Sequence, residues 1–342
     1  MRDDSAALEG ATGGAPAPAA APSGRSPGLA VVAIGGNSIT RRGQVGTIPE
    51  QYANARETCR HLARLVEDGW SLVLTHGNGP QVGMVLLRVQ LSMPQVYPLP
   101  LDVCDSDTQG GMGYMIQQLL GNELRARGIA RPVATLVTQV VVDRADPAFE
   151  RPSKPIGRFY DALEAEARRK EQGWVMVEDA GRGFRRVVAS PRPREVVEIE
   201  AVRALVRAGV VVIAAGGGGI PVVREGTDLV GVEAVVDKDR SSALLATALG
   251  ARLLLITTGV DRVHLDWGTP RARPLARMTV SEGRRRLAEG QFPPGSMGPK
   301  VEAVCDFLEA PGGPSGREAL ITAPDRVEGA LLGEEGTRIS VG

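Results

Sequence analysis

Three lysines in this chain stand where surface decoration is a poor explanation. Lys238 lies between Asp237 and Asp239 before a helix-like run, Lys154 sits between Pro152 and Pro155, and Lys300 follows Gly298-Pro299. Four consecutive glycines, Gly216 to Gly219, close the apolar run Val210 to Ala215. Glycines at the end of a buried strand let backbone N–H groups approach a phosphate unobstructed, and lysines supply the charge. Taken singly, each feature has a plainer reading: a tight turn for the glycines, a helix N-cap for Asp237, an exposed proline loop for Lys154. Pro155 bars Lys154 from the helical region, so this lysine rides on a stiff, extended arm.

One chemistry unites them: transfer of a phosphoryl group between two anionic partners, where catalysis is mainly positioning and charge neutralisation. A carboxylate-type nucleophile has no proton to lose, so such a site needs no general base. Only three histidines occur, His61, His76 and His264, and they are scattered. No G-x-x-x-x-G-K-[ST] run, G-x-S-x-G elbow or H-E-x-x-H pair appears, and no G-x-G-x-x-G follows the first strand, which weakens a dinucleotide-dependent oxidoreductase. Cys59, Cys104 and Cys305 lie far apart without a C-x-x-C pair. That argues against structural zinc and a disulfide framework and suits a reducing cytoplasm. No metal held by protein nitrogen or sulfur is expected, while Mg²⁺ carried in by a nucleotide is compatible with the sequence.

The elements that must position these groups follow a βα rhythm. LAVVAI (Leu29 to Ile34) reads as a buried strand running into Gly35-Gly36-Asn37, and SLVLT (Ser71 to Thr75) as a second running into His76-Gly77-Asn78-Gly79. Between them Pro49 opens a helix with Tyr52, Ala55, Cys59, Leu62 and Val66 on one face, ended by Gly69. Strand, helix, strand with glycine loops at the carboxyl ends is a parallel βαβ unit, and ligands sit beyond those ends. Residues 102–127 read as a loop and helix. Residues 138–188 change texture, with short strands, prolines and a charged helix near 161–172, and read as an excursion from the main sheet. The rhythm then resumes: a helix ended by Gly209, the focal strand, a helix Arg240 to Leu249, a buried strand with a polar end (TTGVD), a helix around Arg284 to Arg286, a helix carrying Lys300, and a last strand EALITA.

With 342 residues the chain can bury one large α/β core or two smaller ones. Forty basic residues balance forty acidic ones, so no net field points to nucleic acid or an anionic membrane, and no apolar run is long enough to span a bilayer. Residues 1–28 are rich in Ala, Pro, Gly and Ser, lack the apolar core of a secretory signal, and read as a disordered tail.

The runs AIGGN (Ala33 to Asn37), THGNGPQVG (Thr75 to Gly83), DVC, TQG, PSKPIGRFY (Pro152 to Tyr160), DAGRGFRRVV (Asp179 to Val188), SPRP, AAGGGGIPV, GVEAVVDKD and GQFPPGSMGPKVEA (Gly290 to Ala303), in this order, resemble the carbamate kinases of the amino acid kinase superfamily. The likeness runs from Leu29 to the GTRI at Gly336 to Ile339. It implies an αβα sandwich with a largely parallel sheet of about eight strands, a kinase domain over 29–342, and a protruding lid at about 138–188. It implies ATP and carbamate exchanging with ADP and carbamoyl phosphate, with Mg²⁺, in a cytoplasmic homodimer. By the same resemblance Gly35, Gly36 and Asn37 contact the transferring group, and Gly77, Asn78 and Gly79 cradle carbamate and phosphate. Lys154, Lys238 and Lys300 neutralise charge, Asp239 orients the lysines with help from Asp237, and Gly216, Gly217, Gly218 and Gly219 shape the nucleotide side. The superfamily's carboxylate kinases usually carry a lysine just before the first glycine pair. Here Ala33-Ile34 stands there, and Lys154 is the implied substitute. The chain departs from the pattern at Gly259, where aspartate is common, at Asp105 to Asp107, at Arg158 in place of proline, and at Arg240, where an apolar residue is common.

Overall fold

A computed structural model describes residues 27–342 apart from 42, 94, 179–182, 294 and the side chain of Asn37. The expected tail lies outside these residues except for its last two, as do the first four residues of the DAGRGFRRVV run. The architecture starts from β1 (Leu29–Ile34), whose apolar run is split by the two-residue period of a strand. Val31 and Ala33 enter one apolar cluster, and Ala30, Val32 and Ile34 enter another. A strand covered on both faces needs no polar alternation.

The chain continues through α1 (Ile48–Glu67), β2 (Ser71–His76), α2 (Gly79–Ser92), α3 (Leu101–Ala126), β3 (Val133–Thr135), β4 (Gln139–Val142), β5 (Lys154–Tyr160), α4 (Ala162–Gln172), β6 (Met176–Glu178), β7 (Phe184–Val188), β8 (Pro193–Val196), α5 (Ile199–Arg207) and β9 (Val211–Ile213). It closes with β10 (Ile220–Glu225), β11 (Asp228–Gly231), α6 (Lys238–Ala248), β12 (Leu253–Thr257), β13 (Val263–Leu265), β14 (Arg273–Leu275), β15 (Arg277–Thr279), α7 (Val280–Ala288), α8 (Met297–Glu309), β16 (Glu318–Thr322), α9 (Val327–Leu332) and β17 (Thr337–Ser340).

Eight strands form the main sheet in the order β15-β17-β16-β12-β1-β2-β9-β3, parallel throughout except between β16 and β17. Helices α1, α3 and α9 bury Leu62, Ile116 and Ala330 on one face, while α5, α6 and α8 bury Val202, Leu245 and Phe307 on the other. The result is the three-layer αβα arrangement.

Within the expected excursion, β4 joins a second sheet of order β11-β10-β4-β8. Strands β5, β7 and β6 form a separate three-stranded sheet, with α4 contributing Ala165 to the small cluster around Tyr160 and Met176.

Local signals explain several boundaries. Thr47 and Glu50 form a reciprocal capping box at the start of α1. At its end Gly69, at φ +92°, donates to Val66 and Trp70 donates to Leu65, a Schellman motif that satisfies the last carbonyls. Two expectations need correction. The expected loop near residue 102 is the start of α3, one continuous 26-residue helix in which Asp105, Thr108 and Gln109 are buried; their tertiary hydrogen bonds outweigh weak helix propensity. The glycine loop after β2 also ends sooner than read, because Gly79 is already the first residue of α2.

Candidate active site

Four neighbouring strands, β12, β1, β2 and β9, deliver their carboxyl-terminal loops to one end of the main sheet. The Gly35 N–H donates to Thr257 Oγ1 at 2.9 Å. A Cβ on Gly35 would stand 2.4 Å from the Thr257 carbonyl oxygen, so no larger residue fits there. A Cβ on Gly77 would lie 3.6 Å from the Gly36 nitrogen and 3.7 Å from Cδ and Cε of Lys238. The Lys238 stem therefore runs past the loops of both β1 and β2. Gly216 and Gly217 pack against His76 and Asn78, and Gly219 packs against Val140. Gly218 turns at φ +108° with its carbonyl held by Ser241 Oγ at 2.6 Å.

The charged groups meet at the start of α6. Asp237 is its N-cap, accepting from the N–H groups of Asp239 (3.0 Å) and Arg240 (3.4 Å). The other oxygen of Asp237 takes Lys154 Nζ at 2.9 Å, which ties β5 to the main body. Asp239 is shared: Oδ1 accepts from Lys238 Nζ at 2.5 Å and Oδ2 from Lys300 Nζ at 3.0 Å. Burial works against the charge on Asp239, but the two lysines outweigh it and hold the carboxyl well below the usual range. Burial likewise opposes ionisation of Asp237, and Lys154 overcomes it. Lys238 is pulled below the ordinary lysine range by burial, with Asp239 opposing and Lys300 reinforcing. For Lys300 burial is outweighed by Asp239, and its ammonium is held above that range.

This cluster is braced from behind. Ser242 Oγ donates to the Lys238 carbonyl (2.7 Å) and lies 2.7 Å from Thr75 Oγ1, joining α6 to β2. Gln109 on α3 donates to the carbonyls of Thr138 (3.1 Å) and Gly216 (2.9 Å). Lys300 Nζ also reaches the Ser296 carbonyl at 3.4 Å, and Ser296 lines a cavity of about 240 Å³ together with Thr258, Gly259, His264, Trp267 and Pro293. His264 and Trp267 meet edge to face there, with ring centroids 5.1 Å apart.

Comparison with known proteins now adds to the geometry. The amino acid kinase family model matches residues 28–321. Carbamate kinase from Thermococcus kodakarensis is 48% identical over 313 residues, covering 90% of this chain and 98% of the relative. The chain belongs to the carbamate kinases of the amino acid kinase family. The carbamate kinase-like protein YahI of Escherichia coli is 47% identical over 315 residues, covering 91% of this chain and 98% of its own. Among solved structures, carbamate kinase from Giardia lamblia bound to AMP-PNP superposes with a TM-score of 0.85 at 39% identity, covering 92% of this chain and 99% of its own.

In this carbamate kinase family member the structure brings together Gly35, Gly36, Gly77, Asn78, Gly216 to Gly219, Asp237, Lys238, Asp239, Lys300 and Lys154. Gly79 opens α2 at the edge of this group, and the backbone of Asn37 belongs to the turn after Gly36. The departures also find places. Arg240 pairs with Glu302 on α8 at 2.7 Å, clamping the helix that carries Lys238 to the one that carries Lys300. Arg158 stacks over Tyr160 at 4.2 Å and pairs with Glu164 at 2.5 Å, fastening β5 to α4. Gly259 lines the cavity beside Lys300. Sequence reasoning missed His264, Trp267 and Pro293 as cavity walls; the polar end of the β12 strand was the available signal. It also missed Asp105, Thr108 and Gln109 as supports.

Proposed function

We propose that this protein catalyses reversible phosphoryl transfer between ATP and carbamate, run toward ATP from carbamoyl phosphate in the breakdown of arginine or of a purine-derived ureide. The observation that carries the reading is the convergence of Lys154, Lys238 and Lys300 on two aspartates among glycine loops that offer backbone donors. Such a site neutralises a moving phosphoryl group without a general base, as an anionic carbamate oxygen requires. His76, which packs against Gly216 and feels the charge of Lys238, is pushed down to about 4 by burial and stays neutral, so it brings no competing charge.

In this reading Gly35, Gly36 and Asn37 meet the transferring group, and Gly77, Asn78 and Gly79 hold carbamate. The cavity of His264 and Trp267 takes the nucleoside, with Lys300 between base and phosphates. Gly216 to Gly219 shape the floor. Mg²⁺ fits as an ion carried by nucleotide oxygens, where it would neutralise phosphate charge: Asp239 is occupied by two lysines, and no three acidic, His or Cys side chains converge among the described residues. The β5-β7-β6 sheet with α4 serves as a lid, Lys154 being the charge it brings. A cytoplasmic homodimer completes the reading; among the described residues no helix is long and apolar enough to cross a membrane.

The test is ATP formation from ADP, Mg²⁺ and carbamoyl phosphate, with acetyl phosphate and N-acetylglutamyl phosphate as competing donors. Selective use of carbamoyl phosphate is expected. A protein that binds ADP yet turns over none of these donors would overturn the reading.

A further inference from the structure

Asn78 is gripped by α3 through residues that the proposed chemistry leaves unused. Its buried carboxamide donates from Nδ2 to Asp105 Oδ1 at 3.0 Å and to Thr108 Oγ1 at 2.8 Å. The chemistry of these partners fixes which end of the amide faces α3. An ionised carboxylate only accepts, and the Thr108 hydroxyl already donates its proton to the Asp105 carbonyl at 2.7 Å, so it too can only accept. Both amide protons are thereby used. Among the described residues none donates to the amide oxygen.

That oxygen belongs to a residue flanked by Gly77, which borders Lys238, and packed on Gly217. The surroundings are rich in donors: three ammonium groups and the backbone N–H groups of the glycine loops. Their two aspartates are taken up by the lysines. Carbamate and acetate share shape and charge and present the same pair of oxygens to those donors. They differ in that carbamate carries N–H groups, and only an acceptor can sense that difference.

Resting on the carbamate reading above, we propose that Asp105 is a positioning residue that holds the Asn78 amide oxygen toward the substrate N–H. The cradle thereby selects carbamate over an isosteric carboxylate. Burial pushes the Asp105 carboxyl up to about 7 against the Asn78 hydrogen bond, with Asp102 of the same helix and Glu233, which is paired with Arg186, pushing the same way. A proton on Asp105 turns an obligate acceptor into a potential donor, and the amide is then free to turn over.

The experiment measures kcat/KM for carbamoyl phosphate and the inhibition constant of acetyl phosphate as its competitor. Asp105→Ala should lower kcat/KM for carbamoyl phosphate by about fivefold to tenfold, the scale of one hydrogen bond, and move the acetyl phosphate constant less than about twofold. Asp105→Asn, which can still accept from Asn78, should restore discrimination. In the wild type discrimination should weaken as pH falls from 8 to 6, whereas in Asp105→Asn it should stay level. Thr108→Val removes the other acceptor and carries the same expectation if Asp105→Ala does not fold. Equal losses for both ligands, unchanged discrimination, or an Asp105→Asn protein that behaves like Asp105→Ala would overturn the proposal. A wild type that makes no ATP from carbamoyl phosphate would overturn the carbamate reading itself, a distinct result.

Discussion

The shared carboxylate of Asp239 makes Lys238 and Lys300 a unit. Removing either ammonium takes away charge stabilisation at the proposed transfer centre and leaves a buried carboxylate with one partner instead of two. Lys238→Ala and Lys300→Ala should each lower kcat by about 10³-fold, within the range for cations that stabilise phosphoryl transfer. Steady-state ATP formation checks this, with circular dichroism to establish folding; a loss below tenfold would refute the assignment. Asp105 has the opposite electrostatic character, with its pKa raised instead of lowered. Above an unfolded value of about 4 the unfolded chain has lost this proton, whereas the folded protein retains it until about 7, so this residue's contribution to stability declines between those values. Asp105→Asn removes the titration. Its melting temperature relative to wild type should therefore rise from pH 5 to pH 8, a trend that scanning calorimetry at several pH values reads directly.

Elements deliver these residues, and the glycine run between β9 and β10 shows how tightly. A Cβ on Gly218 would fall 2.2 Å from the Val236 carbonyl, at a φ of +108° that other residues rarely adopt. Gly218→Ala should push the Asp237-Lys238-Asp239 segment aside, costing about 2–4 kcal/mol in denaturant unfolding along with most of the activity. Loss of activity with unchanged stability would show that this packing is slack. Much of this level was legible in the sequence. The apolar runs marked β1, β2, β9 and β12, and the glycines that follow them marked the end of the sheet where their carboxyl-terminal loops gather. The start of α3 was not legible, because Asp105, Thr108 and Gln109 look like loop residues until their partners Asn78, Thr138 and Gly216 are placed beside them. Nor were His264 and Trp267, which come from a short excursion after β12 with no periodic signal. The three lysines were legible for a different reason: proline, glycine and aspartate neighbours are unusual company for solvated lysines. That Asp239 would serve two of them was not readable from spacing alone.

At the scale of the whole molecule, the main body and the β5-β7-β6 sheet are linked through Lys154 and Asp237, and this link has a consequence for encounter. Three lysines and two aspartates, all mutually paired, leave the cluster with a net formal charge of only one positive unit. The chain as a whole is formally neutral. An approaching nucleotide therefore senses little long-range pull, and the lysine N–H donors act on its phosphates only at contact range. Association should be unsteered and nearly indifferent to salt. Stopped-flow binding of ADP between about 0.01 and 0.5 M ionic strength, where the screening length shrinks from about 30 Å to a few ångströms, should show the on-rate changing less than about threefold. A steep fall would mean that the lysines stand open before the ligand arrives. With a flat profile, discrimination among anions would arise after collision, in the exchange of internal ion pairs for external ones, and selectivity would be expressed in how long each ligand stays.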